Sequence, residues 1–291
     1  MDILTNYTFQ IVALGSVILA VAAAPVGALS VYKGQSLIGD AIGHSTFPGI
    51  ILAYMAFATR SPVILLAGAI LAGAASYALI QLAHRDKRLG LDANLAIFLS
   101  GFFGLGMALK SFIQGNPDYA GASQAGLGTY IFGQAAYMLE ADVLLIAVVS
   151  ALVLTLLLLF YKELKLFVFD AEYAEVVGLP CRLLNLLLLV MTIAVIGIGI
   201  KAVGAILISS FLIIPCVAAN QWSNNFVRVL LLSSLIGAVS ALVGTYISTL
   251  EQGMSTGPSI ILVASLIAFF SIVFGTKGIL GRVLKRRGTH G

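Results

Sequence analysis

Nine long runs of apolar residues constrain the fold of this chain more than any other feature of its sequence. A helix needs about 20 consecutive apolar residues to cross the hydrocarbon core of a bilayer, and most of these runs reach or approach that length. We therefore predict an all-α polytopic membrane helix bundle with eight or nine transmembrane helices. The runs cover residues 10–30, 36–58, 61–82, 92–113, 141–161, 183–203, 204–220, 227–250 and 257–276.

The composition excludes most other classes of protein. Hydrophobic residues make up 60% of the 291-residue chain and charged residues 10%, with a mean hydropathy of +1.07. A soluble domain carries about 25% charged residues, so a soluble fold, intrinsic disorder and nucleic-acid binding are all disfavoured. The two cysteines, Cys181 and Cys216, provide no disulfide framework, and each is expected to act as a small apolar residue. We expect a single transmembrane domain over residues 1–291.

The basic residues indicate the orientation of the bundle. If every long run crosses once and the C-terminus is cytoplasmic, thirteen Lys and Arg residues lie inside and three outside. This asymmetry follows the positive-inside rule and predicts nine crossings with the N-terminus outside, which places Asp40 near the inner end of its span. A Gly-rich run at 125–138 is too short to span and is predicted to be re-entrant or broken; a crossing there would change the side of the N-terminal half. The basic tail, residues 277–291, is predicted to contact lipid of the inner leaflet.

Asp40 and His44 are ionisable residues inside an apolar run, where burial costs several kcal/mol. Their spacing of four residues places them on one face of a helix, one turn apart. A carboxylate oxygen and an imidazole nitrogen in that arrangement can bind one divalent ion such as Mn²⁺, Fe²⁺ or Zn²⁺, with further ligands from elsewhere. Two other interpretations stay open from these residues alone. Asp40 can cap the helix while His44 hydrogen-bonds internally, or the two can form a simple ion pair.

A short helix is predicted between two long runs, at about 170–179. Asp170 is a candidate N-cap, Glu172 and Glu175 lie in the first turns, and Gly178 is a stop signal. Such a helix is far too short to span a bilayer and is predicted to lie in a cytoplasmic loop. The spacing of Glu172, Ala174 and Gly178 resembles the coupling helix of ABC importer permeases, although an ordinary loop helix also fits.

Five segments, in order along nearly the whole chain, resemble the permease subunits of bacterial ABC importers for manganese, zinc and iron. The resemblance is specific because the five occur together in a chain of the right length and hydropathy. The segments are SLIGDAIGHSTFPGI, YIFGQ, FDAEYAEVVGLP, VGAILISSFLIIPCVAA and STGPSIILVAS.

This resemblance implies a subunit that forms the translocation path in the bacterial cytoplasmic membrane and has no resident cofactor. Asp40 and His44 match the family's Asp and His, which meet the transported ion. The coupling helix, with Asp170, Glu172, Ala174, Glu175 and Gly178, would bind cytoplasmic ATPase subunits, which carry the ATP. The other implied partners are a second permease chain, in a homodimer or a heterodimer, and an extracytoplasmic metal-binding protein.

Some residues depart from the family pattern. Lys33 and Gln35 stand where arginine and methionine are more usual, just before the Asp-His segment. Lys201 stands where a neutral polar residue is more usual, and it is expected to anchor a helix end at the interface. The alternative is that it faces the pathway, where its charge would repel a metal ion. Glu251 is a candidate acid at the outer mouth, where it would attract cations or touch the binding protein; a solvated loop acid is the simpler interpretation.

Three other functions fit parts of the sequence. A metal-chelate ABC permease would share the coupling helix, but the Asp-His pair favours bare ions. An ion-coupled secondary transporter would use intramembrane acids and need no ATPase. An intramembrane enzyme is disfavoured because the spans supply no nucleophile and no third metal ligand. The chain has no GxxxxGK[ST] phosphate loop and is therefore not expected to be the ATP-hydrolysing subunit. The sequence does not identify the ion.

Overall fold

The computed structural model describes residues 6–59, 61–84, 89–116, 135, 138–204, 208–250 and 254–281. Across these residues the chain forms eleven α-helices and no β-strand, which confirms the predicted all-α fold. The helices are α1 (Tyr7–Tyr32), α2 (Ile38–Phe57), α3 (Pro62–His84), α4 (Leu91–Gly115), α5 (Glu140–Leu159), α6 (Tyr161–Phe169), α7 (Ala171–Val176), α8 (Cys181–Val203), α9 (Ile208–Asn220), α10 (Phe226–Leu250) and α11 (Thr256–Phe274).

Each of the nine apolar runs corresponds to one of these helices. Seven of the described helices are long and apolar enough to cross a membrane, which confirms a polytopic bundle. The other two differ in informative ways. Helix α2 has 20 residues but carries Asp40 and His44 within its apolar sequence. Helix α9 has 13 residues, about 20 Å of helix, and is shorter than the hydrocarbon core of about 30 Å.

Helix α1 forms the centre of the bundle and packs against α5, α8, α9 and α10, whereas α2 packs mainly between α3 and α4. Small residues allow this close packing, because lipid provides no hydrophobic drive to bring helices together. At Gly27 of α1, a Cβ atom would lie 2.0 Å from the Leu212 carbonyl oxygen of α9. At Gly49 of α2, it would lie 2.2 Å from the Gly68 carbonyl oxygen of α3. Backbones therefore touch directly at both crossings.

Two short helices, α6 and α7, lie between α5 and α8 in the chain. The α5 helix ends at Leu159, and α6 starts at Tyr161 after the single residue Phe160. The sequence analysis did not predict α6. Asp170 then ends α6 and caps α7, since its Oδ1 accepts a hydrogen bond from the Tyr173 backbone N–H at 2.8 Å. Gly178 has a φ of +85°, a backbone conformation that residues with a Cβ atom rarely adopt. Glycine therefore suits the turn into α8.

Several predicted features lie outside the described residues. They include most of the Gly-rich run 125–138, Glu251, residues 282–291 of the basic tail, and the side chain of Lys201.

Candidate metal site

Asp40 and His44 lie one turn apart at the start of α2, as their spacing predicts. The Nε2 atom of His44 is 3.5 Å from Oδ1 of Asp40. Two ligands of one tetrahedral ion, at metal–ligand distances of about 2.1 Å, would be about 3.4 Å apart. The two side chains are thus spaced so that one ion can bind both with little rearrangement.

The imidazole of His44 is held by the surrounding helices. Its side chain is 13% exposed, and the Phe103 ring of α4 packs edge-to-face against it at a centroid distance of 4.9 Å. Its buried Nδ1 atom has no hydrogen-bond partner among the described residues. The Asp40 side chain is more open, at 31% exposure. One side of the pair is therefore packed in protein, and the carboxylate side is accessible.

A third side chain reaches the pair from another helix. The Oγ atom of Ser209, near the start of α9, donates a hydrogen bond to Asp40 Oδ1 at 2.9 Å. Ser209 lies eleven residues before Asn220, about 16 Å along the helix axis. Asn220 accepts a hydrogen bond from Tyr32 at the end of α1. The Asp40 carboxylate thus contacts the end of α9 that lies opposite Asn220.

No third metal-ligating residue completes the site within the described part of this chain. Among those residues, no cluster of three or more His, Cys, Asp or Glu side chains can hold an ion. The described part of the chain therefore offers two candidate protein ligands, Asp40 and His44, fewer than the four of a closed structural zinc site.

A second polar group lies close to the end of α1. The ammonium of Lys33 donates a hydrogen bond to Oδ1 of Asn185, and the Asn185 amide donates to the Tyr77 hydroxyl at 2.7 Å. Gln81 donates to the same hydroxyl at 2.7 Å. Burial lowers the pKa of Lys33 to about 8. This network joins the α1–α2 linker to α3 and α8.

The predicted coupling residues occupy α7 and its ends. Ala174 is fully buried, whereas Glu172 and Glu175 are exposed. Two apolar side chains of the same helix also face outward, with Tyr173 55% and Val176 84% exposed. Helix α7 thus presents a mixed acidic and apolar surface.

The sequence analysis missed Ser209, Asn185 and Tyr77 because none of them carries a charge in an apolar run. Gly204, five residues before Ser209, is a sequence signal that could have indicated a helix boundary there. Asp92 is an exposed acid in the first turn of α4, outside the pair.

Comparison with known proteins identifies the class. Residues 5–275 match the model of the ABC 3 transport family. The zinc transport system membrane protein TroC of Treponema pallidum is 38% identical over 99% of this chain and 96% of its own length. The manganese transport system membrane protein MntC of Bacillus subtilis is 38% identical over 92% of this chain and 61% of its own length.

A solved structure has the same fold. It is PsaBC from Streptococcus pneumoniae in complex with Fab, which superposes with a TM-score of 0.84 at 26% identity. The match covers 98% of this chain and 96% of that one. The fold and these matches define a multi-pass permease of the ABC type. The chain belongs to the ABC 3 transport family.

Proposed function

We propose that this permease subunit carries divalent transition-metal ions, Mn²⁺, Zn²⁺ or Fe²⁺, through the membrane in an ATP-driven importer. The observation that carries the proposal is the Asp40–His44 pair, with its Oδ1 and Nε2 atoms 3.5 Å apart in an apolar bundle. Ionisable residues in spans are costly and usually serve an ion path. The zinc and manganese relatives support the same cargo.

The ligand set suits transport rather than storage. Oxygen and imidazole ligands bind Mn²⁺, Fe²⁺ and Zn²⁺, and geometry and delivery select among them more than affinity does. A second permease chain, placed so that the two pairs meet, would raise the protein ligands from two to four. Movement of the two chains apart would then lower the ligand count and release the ion.

The ATPase subunits would dock on α7, where the exposed Tyr173 and Val176 lie beside Glu172 and Glu175. Asp170 caps the start of this helix, and Gly178 allows the turn after its end. Ala174 is the buried residue of the helix and packs against the rest of the chain. ATP would bind to those subunits, and the permease would hold no resident cofactor.

The other partners follow from the same function. An extracytoplasmic metal-binding protein would deliver the ion, and Glu251 is a candidate contact at the outer mouth. The importer would reside in the bacterial cytoplasmic membrane with the C-terminus inside, where the basic tail meets anionic lipid.

Radiolabelled uptake tests the proposal. Bacterial cells that lack their own high-affinity importers would express this chain with its ATPase and binding protein, and uptake of ⁵⁴Mn²⁺ and ⁶⁵Zn²⁺ would be measured. We expect uptake by the wild type and its loss in Asp40→Asn and His44→Ala. Asp92→Asn is the matched control, because Asp92 is an exposed acid outside the pair.

The amount of assembled complex in the membrane would be measured for every variant. Full uptake by assembled Asp40→Asn would contradict an ion path through this pair. Uptake of a metal chelate but of neither bare ion would favour the chelate-permease alternative. Uptake that persists with a hydrolysis-deficient ATPase would contradict ATP-driven import.

A further inference from the structure

Ser209 is a buried residue that connects the candidate metal site to a different helix. It is 5% exposed, and its Oγ atom lies 2.9 Å from Oδ1 of Asp40. That same oxygen lies 3.5 Å from His44 Nε2. The serine hydroxyl therefore contacts the carboxylate oxygen that faces the imidazole.

Several other buried hydroxyl groups in the bundle donate within their own helix, whereas Ser45 of α2 also donates to Ser76 Oγ of α3 at 2.7 Å. Ser240 donates to the Ile236 carbonyl oxygen at 2.7 Å, and Thr192 donates to the Leu188 carbonyl oxygen at 2.8 Å. Such bonds satisfy a hydroxyl locally and connect no other element. Ser209 donates to a side chain of α2, so its hydroxyl acts directly on the candidate ligand.

The local backbone explains how Ser209 reaches Asp40. Helix α8 ends at Val203, Gly204 has a φ of +95°, and α9 begins at Ile208. Gly204 thus follows the end of α8, and Ser209 lies in the first turn of α9. Gly39 of α2 packs at the same crossing, where a Cβ atom would lie 3.0 Å from the Leu212 side chain. The start of α9 is therefore fitted against the start of α2.

We propose that Ser209 is a positioning residue for metal binding, an inference that rests on the proposed function. Its hydroxyl holds the Asp40 carboxylate with Oδ1 toward His44 and keeps that oxygen hydrogen-bonded when no ion is bound. Carboxylate ligands are generally oriented by such partners, and the loss of one lowers metal affinity about 10–100-fold. Motion of α9 relative to α2 would change the carboxylate orientation and therefore the affinity for the ion.

Direct metal binding to the purified permease–ATPase complex tests this role. The delivery protein is left out, so its own affinity for the ion does not contribute to the measured Kd. Mn²⁺ alone is the probe, and free Mn²⁺ is followed by its electron paramagnetic resonance signal. We expect the Kd to rise about 10–100-fold in Ser209→Ala. Ser209→Thr keeps the hydroxyl and is expected to stay within a few-fold of the wild type. Ser240→Ala, which removes a buried hydroxyl that bonds within its own helix, is expected to bind as the wild type does.

The outcomes separate the two proposals. Ser209→Ala with a wild-type Kd, while Asp40→Asn loses binding, would overturn the positioning role alone. Equal weakening in Ser209→Ala and Ser209→Thr would also overturn it, because the hydroxyl would then not be the cause. Wild-type complex that binds neither Mn²⁺ nor competing Zn²⁺ would contradict the proposed function itself, and the role of Ser209 with it.

Discussion

The ammonium nitrogen of Lys33 lies 4.6 Å from the centroid of the Phe167 ring. Lys33 follows the last residue of α1, and Phe167 belongs to α6, the helix just before the candidate coupling helix. A cation over an aromatic face is stabilised by the ring quadrupole. This contact, together with the Asn185 hydrogen bond, links the α1–α2 linker to α6 and α8. Lys33 therefore connects α6 and α8 with the linker that leads to α2, the helix that carries Asp40.

The half-buried Lys33 leads to a prediction about pH. Burial lowers its pKa from 10.5 to about 8 in the folded chain. Between pH 8 and 10.5 the unfolded chain therefore binds more protons, so the contribution of Lys33 to stability rises with pH. Below pH 8 the cost of burying the charge is fully present. We therefore expect the difference in melting temperature in detergent, wild type minus Lys33→Gln, to increase from pH 8 to pH 10.

The control for this experiment is Lys165→Gln, which removes an exposed lysine of α6. Its melting temperature is expected to follow that of the wild type across the pH range. If the difference between the wild type and Lys33→Gln stays flat or falls from pH 8 to 10, the buried cation is not as described.

The crossing of α2 and α3 makes a prediction about packing. A Cβ atom on Gly49 would lie 2.2 Å from the Gly68 carbonyl oxygen and 2.5 Å from the Ala72 Cβ atom. Since backbone cannot move aside cheaply, Gly49→Ala is expected to destabilise the bundle by about 1–3 kcal/mol, the usual cost of overpacking. Thermal unfolding in detergent measures the change.

Gly101 of α4 is the matched comparison, because a Cβ atom there meets nothing within 4 Å. Gly101→Ala is expected to unfold at or above the wild-type temperature, since alanine favours a helix over glycine. Equal losses in the two variants would show that the α2–α3 contact is not the cause.

The exposed face of α7 makes a prediction about docking. Val176 is 84% exposed, although it is apolar and next to the turn at Gly178. Val176→Asp would place a carboxylate in an apolar contact and is expected to reduce co-purification of the ATPase subunits at least tenfold. Val176→Ala removes area without adding charge and is expected to cause a smaller loss.

Val176→Asp is expected to insert into the membrane and to fold, but no longer to bind the ATPase. Melting temperature of the isolated permease would verify the folding. Full ATPase binding by this variant would place the docking surface elsewhere.

Metal binding is also expected to raise the thermal stability of the folded complex. An ion that binds only the folded state stabilises it by about 2.7 kcal/mol at 100 times its Kd. We expect Mn²⁺ or Zn²⁺ to raise the melting temperature of the wild-type complex and to have a much smaller effect on His44→Ala. Mg²⁺ at the same concentration is the control, because it prefers oxygen ligands and retains its water. An equal response to all three ions would contradict a site with an imidazole ligand.

The helices were largely predictable because their signal is local. The run at 227–250 corresponds to α10 at Phe226–Leu250, and the run at 141–161 to α5 at Glu140–Leu159. The predicted run ended at residue 161, and no helix was predicted between there and Asp170, so the separate helix α6 was missed. Asp40 and His44 were predicted to be neighbours, since four residues make one turn of any helix.

The contacts between helices were not predictable from the sequence. Ser209 meets Asp40, and Asn185 meets Lys33, because the bundle brings distant segments together. In the sequence, a serine that reaches another helix looks the same as a serine whose hydroxyl bonds within its own helix. Ser209 therefore could not be singled out in its apolar run.

The central claim is that a transported ion meets both Asp40 and His44. Electron spin-echo envelope modulation on Mn²⁺ bound to the untagged permease–ATPase complex tests it most directly, because the method detects nitrogen coordinated to the metal. We predict a nitrogen modulation in the wild type that disappears in His44→Ala, and weakened Mn²⁺ binding in Asp40→Asn. Bound Mn²⁺ without nitrogen modulation, or a modulation unchanged in His44→Ala, would contradict the claim.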